Sequence, residues 1–284
     1  MTAVVDVLIP SCDRPAALAV TLAALGASSG PPLRIVLSDQ SESAAAVEQP
    51  EVAAVLRYLR ARGVVVDTHR HLPRRGMAEQ RAFLLAQVSA PFCLYLDDDV
   101  IVEPDLLARL HAAIVAQGCG FVGSAVHGLS YLGQVRPGQE HIEYWEGRVQ
   151  PETVRPGMPA WARHHLHSAA NLFHVQSRRE HGAGTRLYRV AWVGGCVLFD
   201  SARLRACGGF DFWPALPPGH CGEDVLAQLR VMERYGGCGM LPSGAYHMEL
   251  PTTVTAREVD APYLVLGEAV AAPAALRQAD AAAQ

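Results

Sequence analysis

Phe92-Cys93-Leu94-Tyr95-Leu96-Asp97-Asp98-Asp99 is the stretch on which the fold turns. An apolar run of strand length leads straight into three adjacent carboxylates. Such a run, bounded by a polar turn, reads as a buried strand. Neighbouring carboxylates repel one another, so a strand end that gathers three needs a cation or several donors beside them. Mg2+ is held in this manner, by one or two carboxylates together with substrate phosphates. The ordinary alternative is a solvated acidic turn, because Asp is a common turn former.

Working outward toward the N-terminus, Val4 to Ile9 is a second strand, ending at Pro10-Ser11. Asp13 is placed to cap a helix with Pro15 in its first turn and Leu18, Leu22 and Leu25 on one face. The strand Arg34 to Leu37 runs into Ser38-Asp39-Gln40-Ser41. A helix over 52–62 and a strand Val64 to Val66 follow, then a helix from about Gly76 to Val88. Beyond the triplet, Pro104 opens a helix carrying Leu106, Leu107, Leu110 and Ile114. This alternation predicts an α/β fold, Rossmann-like, with a mostly parallel central sheet flanked by helices. Ligands of such sheets bind beyond the carboxyl ends of the strands. Asp13, Asp39 and Asp97 to Asp99 all fall at those ends.

The segment 127–189 is rich in His, Arg, Gly and Pro and has weak periodicity, which predicts an irregular insertion. Regular structure resumes with a strand from Val190 to Phe199, a helix over Ser201 to Ala206, a helix from Glu223 to Tyr235, and a last strand leading to His247. The resulting divisions are 1–125, an insertion at 126–190, a second half of the same domain at 191–258, and an Ala-rich tail at 259–284 with a frayed end.

Composition narrows the chemistry. Of 284 residues, 24 are basic and 28 acidic, giving −4, which argues against a strongly basic nucleic-acid partner. Every basic residue is Arg, so Schiff-base, Walker-lysine and lysine-base chemistry are excluded. The seven Cys are scattered without a CxxC pair, as expected for reduced thiols in the cytoplasm. No apolar run reaches the ~18 residues of a membrane span. The start, Met1 to Pro10, has no positive charge before its apolar run, unlike a signal peptide.

Several residues stand out. Arg81 shares a helical stripe with Met77, Leu84, Leu85 and Val88. A charge there must find a partner, namely Asp39, a member of the triplet or a phosphate. Arg74 and Arg75 lie just before that helix, within reach of a phosphate. Glu223-Asp224 opens a helix after a Gly- and Pro-rich loop, where acids favour the dipole but one carboxylate also suits a general base. As a metal ligand, His247 would favour Mn2+ over Mg2+. His164-His165-x-His167 lacks a clean ligand spacing. Trp145, Trp161, Trp192 and Trp213 have core packing as their commoner role.

The order of these features resembles the inverting glycosyltransferases of the large family two, which have the GT-A fold. The resemblance runs through Val7 to Pro15, Ser38 to Ser41, Gly76 to Arg81, Leu94 to Val100, Val193 to Gly195, Gly208 to Asp211, Gly222 to Asp224 and His247, about residues 4 to 250. It implies that Pro10, Ser11, Cys12, Asp13 and Arg14 line a nucleotide pocket together with Asp39, Arg81, Asp97, Asp98 and Gly195. Asp97 to Asp99 is similar to the DXD motif, with Asp99, Asp97 and His247 as ligands of Mn2+ or Mg2+. Asp224 is similar to the catalytic base, with Glu223 beside it, and Trp213 and His220 lie on the acceptor side. A nucleotide-sugar donor, UDP first, is implied. Small-molecule, glycan and lipid-linked acceptors stay open, the last met at the membrane surface. The chain departs from the family in having Cys12 for the usual aromatic, Asp39 without a second acid, and Gln80-Arg81-Ala82 where Ala-Arg-Asn is common. The competing readings are a nucleotidyltransferase, a metal-dependent phosphohydrolase, and a non-catalytic nucleotide-sugar-binding protein.

Overall fold

The structure, a computed structural model, describes residues 2–167, 170–180, 183–253, 257 and 259–267. Most of the expected tail, 268–284, lies outside the described residues.

The chain begins β1 (Val5–Ser11), α1 (Pro15–Gly26), β2 (Leu33–Asp39), α2 (Pro50–Ala61), β3 (Val65–Arg70), α3 (Met77–Ala86), β4 (Phe92–Leu96), β5 (Val100–Val102), α4 (Leu106–Gln117) and β6 (Phe121–Gly123). The insertion then holds short 3-10 helices, α5 (Leu172–Ser177) and β7 (Arg186–Tyr188). It is followed by β8 (Cys196–Asp200), α6 (Ser201–Ala206), β9 (His220–Cys221), α7 (Glu223–Tyr235), β10 (Gly237–Leu241), β11 (Ala245–His247), β12 (Val259–Asp260) and α8 (Ala261–Leu266).

Eight strands form one sheet in the order β3-β2-β1-β4-β8-β6-β10-β7. Pairing is parallel along β3-β2-β1-β4 and between β6 and β10; β8 and the edge strand β7 run antiparallel to their neighbours. The mostly parallel α/β expectation therefore holds. Because strand side chains alternate between faces, Val5, Val7 and Ile9 pack with Leu18 and Leu22 of α1, Leu59 of α2 and Leu110 of α4 on one side. Leu8 faces the other way, toward Leu84 of α3, Leu204 of α6 and Leu229 of α7.

Three local expectations are corrected. Asp13 does not cap α1: it adopts φ 55°, Arg14 takes the cap position, and the Asp13 N–H donates to Ser41 Oγ at 2.9 Å. The strand expected over 190–199 is only Cys196–Asp200, because Gly195 turns the chain at φ 71° and the Gln228 side chain holds the Val193 N–H and carbonyl, both at 2.8 Å. The tail from Val259 is regular at its start, where β12 pairs with β9 and α8 follows.

Candidate active site

Parallel register builds the site. Leu8 lies opposite Tyr95, and Ser11 lies opposite Asp39, so the ends of β1, β2 and β4 share one edge. Three residues beyond Leu8 and Tyr95, Ser11 Oγ donates to Asp98 Oδ2 at 2.7 Å. Thr21 Oγ1 donates to the Asp98 carbonyl at 2.8 Å. Asp98 is 6% exposed and turns into the protein. Burial pushes its carboxyl pKa up to about 7 against the Ser11 bond, which lowers it.

Asp97 is the open member of the triplet, with a side chain 35% exposed. Its N–H donates to the Gly195 carbonyl at 3.0 Å, across from the end of β8. A Cβ on Gly195 would lie 3.1 Å from the Val126 methyls and 3.5 Å from Asp97 Oδ2, tight but adjustable contacts, so it is the positive φ that calls for glycine there. Asp99 is buried; its Oδ2 accepts from Arg14 Nη1 at 2.6 Å and lies 3.5 Å from His247 Nε2. His247 arrives through the β11–β5 ladder, which sets it opposite Val100. Its Nδ1 accepts the Glu249 N–H at 2.8 Å, which assigns the ring proton to Nε2, facing Asp99.

Arg81 is buried, as its stripe position requires some partner to explain. Its Nε donates to Glu223 Oε1 at 3.0 Å and its Nη2 to Asp97 Oδ1 at 3.2 Å. The guanidinium lies over the Tyr95 ring, and the Tyr95 hydroxyl donates to the Arg81 carbonyl at 2.8 Å. The pair with a triplet Asp, expected from sequence, is present; Glu223 is the partner the sequence did not name. Arg81 thus joins the end of β4 to the start of α7. Asp224, next along α7, faces a small hollow lined by Arg81, Tyr95, Gly195, Phe210 and Gln228. Desolvation, with Glu223 adding to it and Arg81 opposing it, pushes the Asp224 carboxyl up to about 7. A carboxyl so poised suits proton transfer near neutral pH.

The nucleotide-side residues gather as expected at the ends of β1 and β2. Asp39 is buried and organises its own loop: Oδ1 accepts the Ser41 N–H at 2.9 Å and Oδ2 the Ala46 N–H at 2.6 Å. Asp13, Ser41, Glu42, Ser43 and Ala46 line an open groove of about 520 Å3. Cys12 is buried against the Gln40 carbonyl, with its thiol pushed up to about 11 by burial. Gln80, marked in the sequence only as a departure from the family pattern, donates to the Ser38 carbonyl at 2.9 Å and so ties β2 to α3. Its signal was the one that exposed Arg81, a polar side chain on a buried helix face; Gln228 has the same signature.

On the acceptor side, His220 has another job. It is 1% exposed, its Nε2 accepts the Ala78 N–H at 3.0 Å and its Nδ1 bonds the Pro217 carbonyl at 2.6 Å. With both ring nitrogens used, it pins the loop 213–220 to the start of α3 and is not available to an acceptor. Trp213 is half-buried against the core beside that loop. Trp161 and Trp192 pack together with ring centroids 5.0 Å apart and planes tilted by 42°, and His164 and His167 stack against them.

The donor chemistry fits a hard divalent cation. Asp97 and Asp99 offer carboxylate oxygens and His247 an imidazole, and five site carboxylates (Asp97, Asp98, Asp99, Glu223, Asp224) face two guanidiniums (Arg14, Arg81). No group of three or more His, Cys, Asp or Glu is arranged as a ready cage among the described residues. Mg2+ sites need none, because substrate phosphates and waters complete them.

The family model for glycosyl transferase family 2 matches residues 6–182, more than half of the chain. The chain belongs to that family. Its fold is similar to that of TarS 1-349 from S. aureus, with a TM-score of 0.55 at 12% identity, over 86% of this chain and 60% of that one. It is also similar to the mannosyltransferase PcManGT from Pyrobaculum calidifontis, solved with GDP-Man and Mn2+, with a TM-score of 0.50 at 14% identity, over 84% of this chain and 57% of that one. The match thus spans less than two thirds of either relative, and at these identities it shows the GT-A fold. No curated protein matches the sequence. No helix among the described residues is long and apolar enough to cross a membrane.

Proposed function

We propose that this chain is an inverting glycosyltransferase that moves a sugar from a nucleotide-diphosphate donor, a UDP-sugar, to an acceptor hydroxyl. The observation that carries the reading is the continuous chain Asp97–Arg81–Glu223 with Asp224 beside it. It sets the acidic strand end and a carboxyl of raised pKa at one cleft. TarS 1-349 has also been solved with UDP-GlcNAc, which supports the choice of donor.

The donor lies along Pro10 to Arg14, the Asp39 loop and Gly195, with Asp97 at its diphosphate; Asp98, expected there from sequence, is instead turned into the protein and held by Ser11. Asp97 and Asp99 would hold Mn2+ or Mg2+, and His247 joins them once its Nδ1 is released from Glu249. A cation held there would supply positive charge to a diphosphate leaving group. Arg81 has its Nε and Nη2 already engaged, so it acts by holding Asp97 and Glu223 in place. Arg74 and Arg75, exposed before α3, bring further positive charge to that side. Asp224 takes the proton of the acceptor hydroxyl as its oxygen attacks the anomeric carbon, and the electron pair of the breaking C–O bond leaves with the diphosphate. A single carboxylate base with attack from the opposite face inverts the anomeric centre. The acceptor meets the site from the Trp213 side.

The test is a thermal-shift panel with UDP, GDP, TDP and CDP, each with and without Mn2+, on wild type and Asp99→Ala, followed by transfer assays on Asp224→Asn. A shift for UDP that needs both Mn2+ and Asp99 is expected, because a ligand that binds the native state raises Tm. No shift for any nucleotide removes the donor reading. Unchanged transfer by Asp224→Asn removes Asp224 as base.

A further inference from the structure

Arg14 stands where the site needs positive charge. Its Nη1 is 2.6 Å from Asp99 Oδ2 and 3.6 Å from Asp98 Oδ1, between the last two carboxylates of the triplet. Its Nη2 donates to the Pro251 carbonyl. Two residues earlier, the Glu249 N–H holds His247 Nδ1, and the Glu249 carboxylate accepts from the N–H and hydroxyl of Ser130. The Met248 N–H donates to the Asp99 carbonyl at 2.9 Å. One side chain therefore ties the loop after β1 to the triplet and to the segment 248–251.

We propose that Arg14 is a tethered counter-cation that keeps the divalent-cation site shut until a nucleotide diphosphate arrives with its metal. The inference rests on the metal and nucleotide reading above. A guanidinium and a divalent cation on one carboxylate repel each other, so binding of one weakens binding of the other. Without metal, Arg14 at 2.6 Å compensates Asp99, which is 3% exposed and whose other facing group is His247 Nε2 at 3.5 Å. A bare cation must displace Arg14 and free Pro251, with nothing offered to the guanidinium in return. A cation that arrives on a diphosphate brings a new anion for Arg14. The same release loosens the segment 248–251, whose Glu249 N–H holds His247 in the tautomer that cannot bind a metal through Nε2. Arg14 is thus a positioning residue that couples metal entry to nucleotide entry.

The experiment uses Mn2+ alone as the probe, with free ion counted by electron paramagnetic resonance, on wild type, Arg14→Gln, Arg14→Lys and Asp99→Asn, each with and without UDP. Hydrogen exchange across 247–253 is read in the same samples. Arg14→Gln is expected to bind Mn2+ without UDP on the order of ten-fold more tightly than wild type, as removal of a self-blocked population requires. UDP narrows that gap. Arg14→Lys keeps a cation at Asp99 but loses the second arm, so its Mn2+ affinity stays near wild type while exchange across 247–253 rises. In wild type, Mn2+ with UDP raises that exchange, a measurement that needs no variant. Equal Mn2+ affinity in wild type and Arg14→Gln, with binding still lost in Asp99→Asn, overturns the proposal and leaves the metal reading standing. So does unchanged exchange in metal- and UDP-loaded wild type. Failure of every protein to bind Mn2+ even with UDP overturns the metal reading and this inference with it.

Discussion

Asp224, the proposed base, ties the expected pH dependence of transfer and that of stability to one environment. Its carboxyl is pushed up to about 7, chiefly by desolvation. The base form exists above that value, so transfer is expected to fall about ten-fold per unit as pH drops below it. The stability sign runs the other way. A carboxyl whose folded pKa exceeds its unfolded value contributes stability at low pH, which is lost as pH rises from about 4 through about 7. Asp224→Asn is therefore expected to lower transfer on the order of 10²–10⁴-fold while gaining Tm relative to wild type at pH 8 but not at pH 4. Melting curves of both proteins across that range check the second half. Arg81 is the complementary case. Arg81→Ala leaves Glu223 and Asp97 without their cation, and about 3–5 kcal/mol of stability should go with it. Urea unfolding measures this, and a loss below ~1 kcal/mol would mean that the pair adds no more than a surface ion pair does.

At the scale of elements, two short connections hold the cleft. The turn at Gly195 lets β8 deliver a carbonyl to the Asp97 N–H. Gly195→Ala places a methyl 3.1 Å from Val126 at φ 71°, and the left-handed conformation alone costs about 1–2 kcal/mol. Because the bond to Asp97 moves with this turn, nucleotide affinity should weaken more than Tm falls, as a titration with UDP and Mn2+ would read. The second connection is His220, which satisfies the Ala78 N–H at the start of α3. His220→Leu leaves that buried N–H unpaired, a cost of about 1–3 kcal/mol, and frees the exposed Pro217 carbonyl to water. Faster hydrogen exchange in 213–220 with little change in the 92–99 strand is the expected pattern; uniform change would mean that the pin is not local.

At the scale of the molecule, the sheet has one polar end that carries the proposed site and an opposite end held by a buried ion pair. At that opposite end Asp6, fully buried in β1, accepts from Arg34 Nε and Nη2 at 2.8 and 2.7 Å and from the Ser89 and Ala90 N–H groups. The Arg34 bonds and those two N–H groups outweigh desolvation and hold its carboxyl below the usual range. Its stabilisation is thus present above the unfolded pKa and lost in acid. Asp6→Ala leaves the buried Ala90 N–H without its acceptor while Arg34 keeps Asp67 and the Gln87 carbonyl, so about 1–3 kcal/mol should be lost, with kcat and KM unchanged at temperatures where the variant stays folded. A fall in kcat at those temperatures would show that the two ends of the sheet are coupled.

The alternation of apolar runs with helical stripes determined the parallel half of the sheet, because periodicity and turn residues act over a few positions. The same local logic marked the strand-end acids, and it showed that Arg81 needed a partner. What lay beyond it was partnership across long separations. Glu223 meets Arg81 across 142 positions, and Arg14 meets Asp99 across 85. His220 spends its ring on Ala78, and Asp39 turns inward to its own loop. These outcomes depend on which elements pack together, and β5, β7, β9 and β12 are too short for periodicity to mark. Which residues carry charge and where strands end are properties of the chain; which charge neutralises which was decided only when β4, α3 and α7 closed on one another and removed the water between them.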